Sequence, residues 1–300
     1  MLEKIPTRDK ENIGVRVFGS GKPVILLHGF GMESRHWIPF ILPLMGRYRF
    51  ILPDFRGFGH SAHTKINNPC VFTNFYEDFE DILDYYQLDE VALGGISMGA
   101  YVSMFYFSQK NSDRVKKFLC IDQSPSFKNI NGFKFGLGLD DHERWMLDFR
   151  NVLTLLSKYQ SEKNFFALPY DERCYAMIKL ARFASASFPS TFAKLTIQTL
   201  MRTPVIQNFF VPNNWQAYYT ILNAYMNNDY NLIAHVHKIN VKTTIFVGML
   251  SEMYPVESSV YLSQQITNSK LIRFKKSGHA VMMSEPIKFI IELNRFLSDN

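Results

Sequence analysis

The strongest constraint on this chain is a repeating order: a short apolar run, a turn-forming stretch, then helical periodicity. Residues 23–28 (PVILLH) form a continuous apolar run, the pattern of a strand buried on both faces. A Gly-rich loop, HGFGMES, follows it. Further strands are predicted over 13–18, 48–52, 90–94, 117–122, 243–248 and 270–274. Helices are predicted over 36–45, 73–86, 98–109, 256–265 and 286–298. In 73–86, Phe75, Phe79, Ile82 and Leu83 share one face, and Thr73 is the expected N-cap. Strands alternating with helices predict an α/β fold with a parallel sheet.

The alternation stops after Pro125. From about 128 to 232 the pattern is helical without a clear strand, with candidate helices over 141–159, 171–183, 190–201 and 214–226. The expected organisation is a core in two parts, 1–127 and 233–300, interrupted by a helical insert over 128–232.

Composition narrows the function. At 300 residues and 47% hydrophobic, the chain has ample material for a large core. The net charge of +6 is spread along the chain, and without a basic run it gives nucleic-acid binding little support. Cys70, Cys120 and Cys174 are odd in number and far apart, which suggests neither a disulfide framework nor a zinc site. His235-Val-His237 has no third ligand nearby in sequence, so no metal is expected. The N-terminal MLEKIPTRDKEN lacks the apolar segment of a signal peptide, and no apolar run reaches about 18 residues. The expectation is a cytoplasmic protein acting on a small-molecule substrate, with no membrane span; the oligomeric state stays open.

Residues 95–99 (GISMG) carry the chemistry. A serine hydroxyl is a poor nucleophile unless a base takes its proton and its geometry is fixed. G-x-S-x-G between a strand and a helix supplies a sharp turn that exposes the serine above the sheet. The helix then points its N-terminal N–H groups at the reacting centre. Ser97 is therefore the expected nucleophile. His279, in KSGHA after the last predicted strand, is the expected base. Two backbone N–H groups are expected to bind the oxyanion: Met98, directly after the nucleophile, and Phe30, in the HGFG loop.

Taken together, HGFG (28–31), DFRGFGHS (54–61), GISMG (95–99), GML (248–250) and SGHAVMMSEP (277–286) resemble the α/β-hydrolase fold superfamily. The likeness is to cap-bearing esterases, haloperoxidase-like enzymes and C–C hydrolases. The resemblance implies a doubly wound, mostly parallel sheet, a helical cap and a Ser-acid-His triad; acyl transfer by such a triad needs no cofactor. It also implies a structural role for Asp54, Arg56 and Gly57.

The sequence departs from the family's commonest pattern at the acid. Ser251 stands where that pattern has an aspartate after the seventh strand, and a serine cannot stabilise an imidazolium as a carboxylate does. Two carboxylates remain. Asp122 ends the sixth strand, where some members of the superfamily, such as haloalkane dehalogenases, carry their acid; it is the first choice. Glu252, adjacent to Ser251, is the second. Cap aromatics are expected to line the substrate pocket: Trp145, Phe149, Phe166 and Trp215, with Phe165 and Phe188.

The expected activity is two-step hydrolysis of a small or medium apolar carboxylic ester. Alternatives on the same fold are a C–C bond hydrolase, a thioesterase, a perhydrolase, an aminopeptidase or a weakly catalytic small-molecule sensor. Serine rather than aspartate at 97 argues against dehalogenase and epoxide hydrolase chemistry.

Overall fold

The computed structural model describes residues 1–110, 113–200, 203 and 214–299. Eight strands form one sheet: β1 (Leu2–Pro6), β2 (Asn12–Phe18), β3 (Lys22–Leu27), β4 (Tyr48–Pro53), β5 (Val91–Ile96), β6 (Val115–Ile121), β7 (Lys242–Gly248) and β8 (Ser269–Phe274). Their order is β1-β2-β4-β3-β5-β6-β7-β8. The pairs β1–β2 and β2–β4 are antiparallel; the rest are parallel.

Side chains alternate across a strand, and here both faces are covered. Ile25, Leu27, Leu93, Phe118, Cys120 and Ile245 face one apolar cluster. It includes residues of α1 (Val71–Tyr85) and α2 (Met98–Gln109). Val24, Leu26, Ile96, Leu119, Ile121 and Phe246 face the other. That cluster includes Phe289, Leu293 and Phe296 of the C-terminal helix Pro286–Ser298. Such two-sided burial explains why these strands read as unbroken apolar runs.

Among the described residues between β6 and β7 lie four helices of ten residues or more: α3 (His142–Ser157), α4 (Tyr170–Ser185), α5 (Thr191–Leu200) and α6 (Trp215–Asn227). Residue 201, the end of the expected third insert helix, lies outside the described residues. α7 (Val256–Gln265) and α8 (Pro286–Ser298) follow the last two strands and carry the bounds expected for them.

Three local readings change. The helix expected over 36–45 is broken into Ser34–Trp37, Ile38–Ile41 and Leu42–Leu44, because Pro39 and Pro43 lack the N–H a continuous helix needs. Thr73 is not the N-cap of α1; Cys70 is. The chain is delivered there by Asn68, whose Oδ1 accepts from Cys70 N at 2.9 Å and whose N–H donates to Asn74 Oδ1 at 2.9 Å. Strand β1 emerges from the polar N-terminus: it is an edge strand that fully buries only Ile5, so its apolar signal is weak.

The DFRGFGHS loop is held from inside. Arg56 is buried and pairs with Asp78 at 2.6 Å and with Asp9. Asp54 accepts from the N–H groups of Ser34 at 2.6 Å and His60 at 2.9 Å.

Candidate active site

Ser97 follows β5 directly and adopts φ 52°, ψ −122°, a conformation that costs a non-glycine residue on the order of 1–3 kcal/mol. The glycines two before and two after it make the turn sterically feasible. A Cβ on Gly95 would run into the backbone of Gly99 and Ala100; one on Gly99 would run into the carbonyls of Leu27 and His28. The strand and α2 therefore touch backbone to backbone, and Ser97 is pushed to the rim.

Asp122 sits one strand over. Ile96 and Ile121 are register partners, so Ser97 and Asp122 leave adjacent strand ends side by side. Backbone bonds fix both: Ser97 N donates to Ile121 O at 3.0 Å, and Asp122 N to Phe246 O at 2.8 Å. Asp122 also takes positive φ, 47°, and its side chain is almost wholly buried.

Three donors converge on that carboxylate. His279 Nδ1 lies 2.7 Å from Oδ2. Ser251 Oγ donates to the same oxygen at 2.7 Å, and Gly248 N to Oδ1 at 3.0 Å. An ionised Asp122 can only accept, so in the neutral imidazole Nδ1 carries the proton and Nε2 keeps a lone pair. Ser251, the residue that displaced the usual aspartate, here bonds to the carboxylate on the neighbouring strand. Glu252 is not brought to His279: its side chain is 49% exposed and pairs with Lys194.

The HGFG loop faces Ser97, and a Cβ on Gly29 would lie 3.4 Å from the Cβ of Ser97. His28 orients this loop. Its Nε2 accepts from Phe55 N at 3.0 Å, so Nδ1 is the protonated nitrogen and donates to Gly29 O at 2.8 Å. Met32 N donates to the same oxygen at 3.1 Å. Across a trans peptide, N–H and C=O point in opposite directions. Pinning the Gly29 carbonyl therefore turns the Phe30 N–H the other way. Burial pushes the His28 imidazole down to about 4, which keeps it neutral near pH 7. Met98 is the first residue of α2, and its N–H is among those left free by the helix.

The expected pocket aromatics divide into two groups. Trp145 and Phe149 pack on Phe183 at 5.7 and 5.4 Å between ring centroids, and Phe183 reaches Phe30 at 6.3 Å. With Asp148, Lys179 and Arg182 they line a small cavity. Trp215 instead belongs to the insert's own core with Phe165, Leu156 and Met177, and its Nε1 donates to Glu162 O at 3.0 Å. Phe166 lies under the Arg173 guanidinium at 5.0 Å. An aromatic side chain in the insert signals burial without saying against what. Sequence reasoning missed Phe58 and Tyr218, whose rings stand 5.8 and 5.2 Å from Phe30. It also missed Tyr254, 6.1 Å from the His279 ring. Among the described residues no cluster of three His, Cys, Asp or Glu could hold a metal ion. No helix among them is long and apolar enough to cross a membrane.

Residues 22–286 match the family described as the alpha/beta hydrolase fold, and the chain belongs to that family. The AB hydrolase superfamily protein YisY of Bacillus subtilis is 24% identical over 291 residues, covering 95% of this chain and 94% of that protein. A pimeloyl-[acyl-carrier protein] methyl ester esterase of Aliivibrio salmonicida is 24% identical over 281 residues, 93% of each chain. Among solved structures, the esterase EaEST of Exiguobacterium antarcticum superposes with a TM-score of 0.76 over 100% of both chains at 23% identity. The chain is thus a hydrolase of this fold.

Proposed function

We propose that this hydrolase cleaves a small or medium apolar carboxylic ester through an acyl-enzyme on Ser97. The observation that carries the reading is the 2.7 Å bond from His279 Nδ1 to Asp122, beside a serine held at positive φ on the adjacent strand end. In this reading Nε2 of His279 takes the Ser97 proton, and the hydroxyl attacks the ester carbonyl. The Met98 and Phe30 N–H groups receive the oxyanion. The proton passes from His279 to the leaving alcohol, and water activated by the same imidazole releases the acid. Asp122 holds the imidazole in the required tautomer and offsets its positive charge. The insert over 128–232 acts as the cap, and the aromatic group around Phe30, Trp145, Phe149 and Phe183 offers an apolar wall. The name of the methyl ester esterase relative agrees with ester chemistry.

The test is a p-nitrophenyl ester panel together with a fluorophosphonate probe. Wild type should hydrolyse esters and be labelled. Ser97→Ala should lose labelling and at least about four orders of magnitude in kcat. Hydrolysis that survives Ser97→Ala would overturn the reading.

A further inference from the structure

Four tyrosines, two from helices and two from loops, gather beside the triad. Tyr101 stands one helical turn beyond Ser97, its N–H bonded to Ser97 O at 2.9 Å. Tyr225 comes from α6, and Tyr230 from the chain that leaves it. Tyr254 follows the Ser251 loop, beside the His279 ring. Phe72 ties three of them together, with centroid distances of 4.7 Å to Tyr101, 5.3 Å to Tyr225 and 4.6 Å to Tyr230.

Packing alone does not account for the hydroxyl of Tyr101. Tyr101 is 0% exposed, and its hydroxyl has no hydrogen-bond partner among the described residues. Leaving a buried polar group unpaired costs about 1–3 kcal/mol, and phenylalanine would fill the same volume without that cost. Tyr254 Oη accepts from Gln123 Nε2 at 3.1 Å, which leaves its own proton free to donate. Gln123 directly follows Asp122, so this donor is anchored to the triad strand.

We propose that the phenols of Tyr101 and Tyr254, with Tyr225 beside them, form a subsite for a neutral oxygen, a ketone carbonyl, in the acyl part of the substrate. This deepens the ester-hydrolase reading and rests on it. The acyl part is chosen because the alcohol must leave after the first step, whereas the acyl group stays on Ser97. The oxygen is neutral because the phenols are donors in a negatively biased place. Burial and the proximity of the other phenols push Tyr101 and Tyr225 well above the usual phenol range, and Tyr254 is also raised by burial and Asp122. The carboxylates acting on Tyr101 and Tyr254 are Asp229 and Asp122, and both would repel a second carboxylate.

The test pairs p-nitrophenyl 4-oxopentanoate, 5-oxohexanoate and 6-oxoheptanoate with the esters of pentanoic, hexanoic and heptanoic acid. At one chain length, wild-type kcat/KM should favour the oxo ester at least tenfold, because a site built to donate rejects the analogue lacking the oxygen. Tyr101→Phe should erase that preference, bringing kcat/KM on the oxo ester to that on the hydrocarbon ester of the same length, with an unchanged or higher melting temperature. No preference at any length, or a preference that survives both Tyr101→Phe and Tyr225→Phe, overturns the subsite. So does a lowered melting temperature of Tyr101→Phe, which would mean the hydroxyl serves the fold. Esters cleaved without oxo preference sink the subsite alone. No ester cleavage and no fluorophosphonate labelling of wild type sink the hydrolase reading and the subsite with it.

Discussion

At the ends of β5 and β6 the backbone ladder places Ser97 and Asp122. Ser97, Asp122 and Gly248 all sit where a main-chain bond to the next strand, or to the Asp122 carboxylate, fixes them. In the helical insert, position rests on side-chain packing instead. The α3, α4 and α6 core around Val152, Ala176 and Trp215 is compact, yet α5 buries none of its residues and leaves Phe192 81% exposed. The insert meets the core through apolar packing, with Trp145, Phe149, Ile221 and Tyr225 in one cluster with the sheet, and through bonds such as Ala280 N to Ser187 O at 3.2 Å and Gly138 N to Met253 O at 2.7 Å. In the proposed reading, chemistry rests on the backbone ladder and substrate fit on side-chain packing. Loss of a strand-end side chain should cost rate, whereas loss of an insert side chain should cost stability or selectivity.

The largest expected effect tests the strand-end half. Asp122→Asn should lower kcat on a short-chain p-nitrophenyl ester on the order of 10⁴-fold, since an amide cannot hold the imidazole in the right tautomer. Near wild-type turnover would break the comparison. The next tests the insert half. Trp215→Ala should destabilise by about 3–5 kcal/mol in denaturant unfolding, while the folded enzyme keeps kcat on the acetate ester within about threefold. A large rate loss at unchanged stability would mean that the insert core shapes the chemistry directly.

The same division governs how much was legible from sequence. Short apolar runs gave the strands of the core because burial on both faces leaves a dense local signal, and helices α7 and α8 start at residues with clear periodicity. The motif glycines reported backbone approaches: Gly95 and Gly99 are small because two main chains touch there. Ser251 shows where local reading ends. Its departure from the usual aspartate was visible, but its bond to Asp122 spans 129 positions, and only the sheet order brings them together. The division of the aromatics was invisible for a similar reason. Trp145 and Trp215 have the same helical setting, and only tertiary packing decides that one faces Phe183 and the other Phe165.

His28 offers a pH test of the rigid half. Its folded-state value of about 4 lies below that of an unfolded histidine, so the unfolded chain binds more protons between those values. The stabilisation is therefore present above about pH 6.5 and lost as pH falls toward 4, by about 3 kcal/mol in total. The stability gap between wild type and His28→Asn should narrow by that order over this window in denaturant titrations. A gap that stays constant with pH would mean His28 is not held neutral, and the pinned Gly29 carbonyl would lose its support.

The smallest expected effect gives the sharpest boundary. Glu252 is the next residue after Ser251, whose hydroxyl touches the Asp122 carboxylate, yet its own carboxylate points to Lys194 of α5. A half-exposed ion pair of this kind contributes on the order of 0–1 kcal/mol, and the pair joins the loop to α5, which buries none of its residues. Glu252→Gln should leave kcat within about twofold and the melting temperature within about 2 °C. A hundredfold fall in kcat would place the working acid on the loop after β7, and the end of β6 would then be a scaffold for Ser251. An unchanged rate sets the boundary between the two supports within a single peptide unit. Ser251 belongs to the strand-end network, and Glu252 already belongs to the contact with the insert.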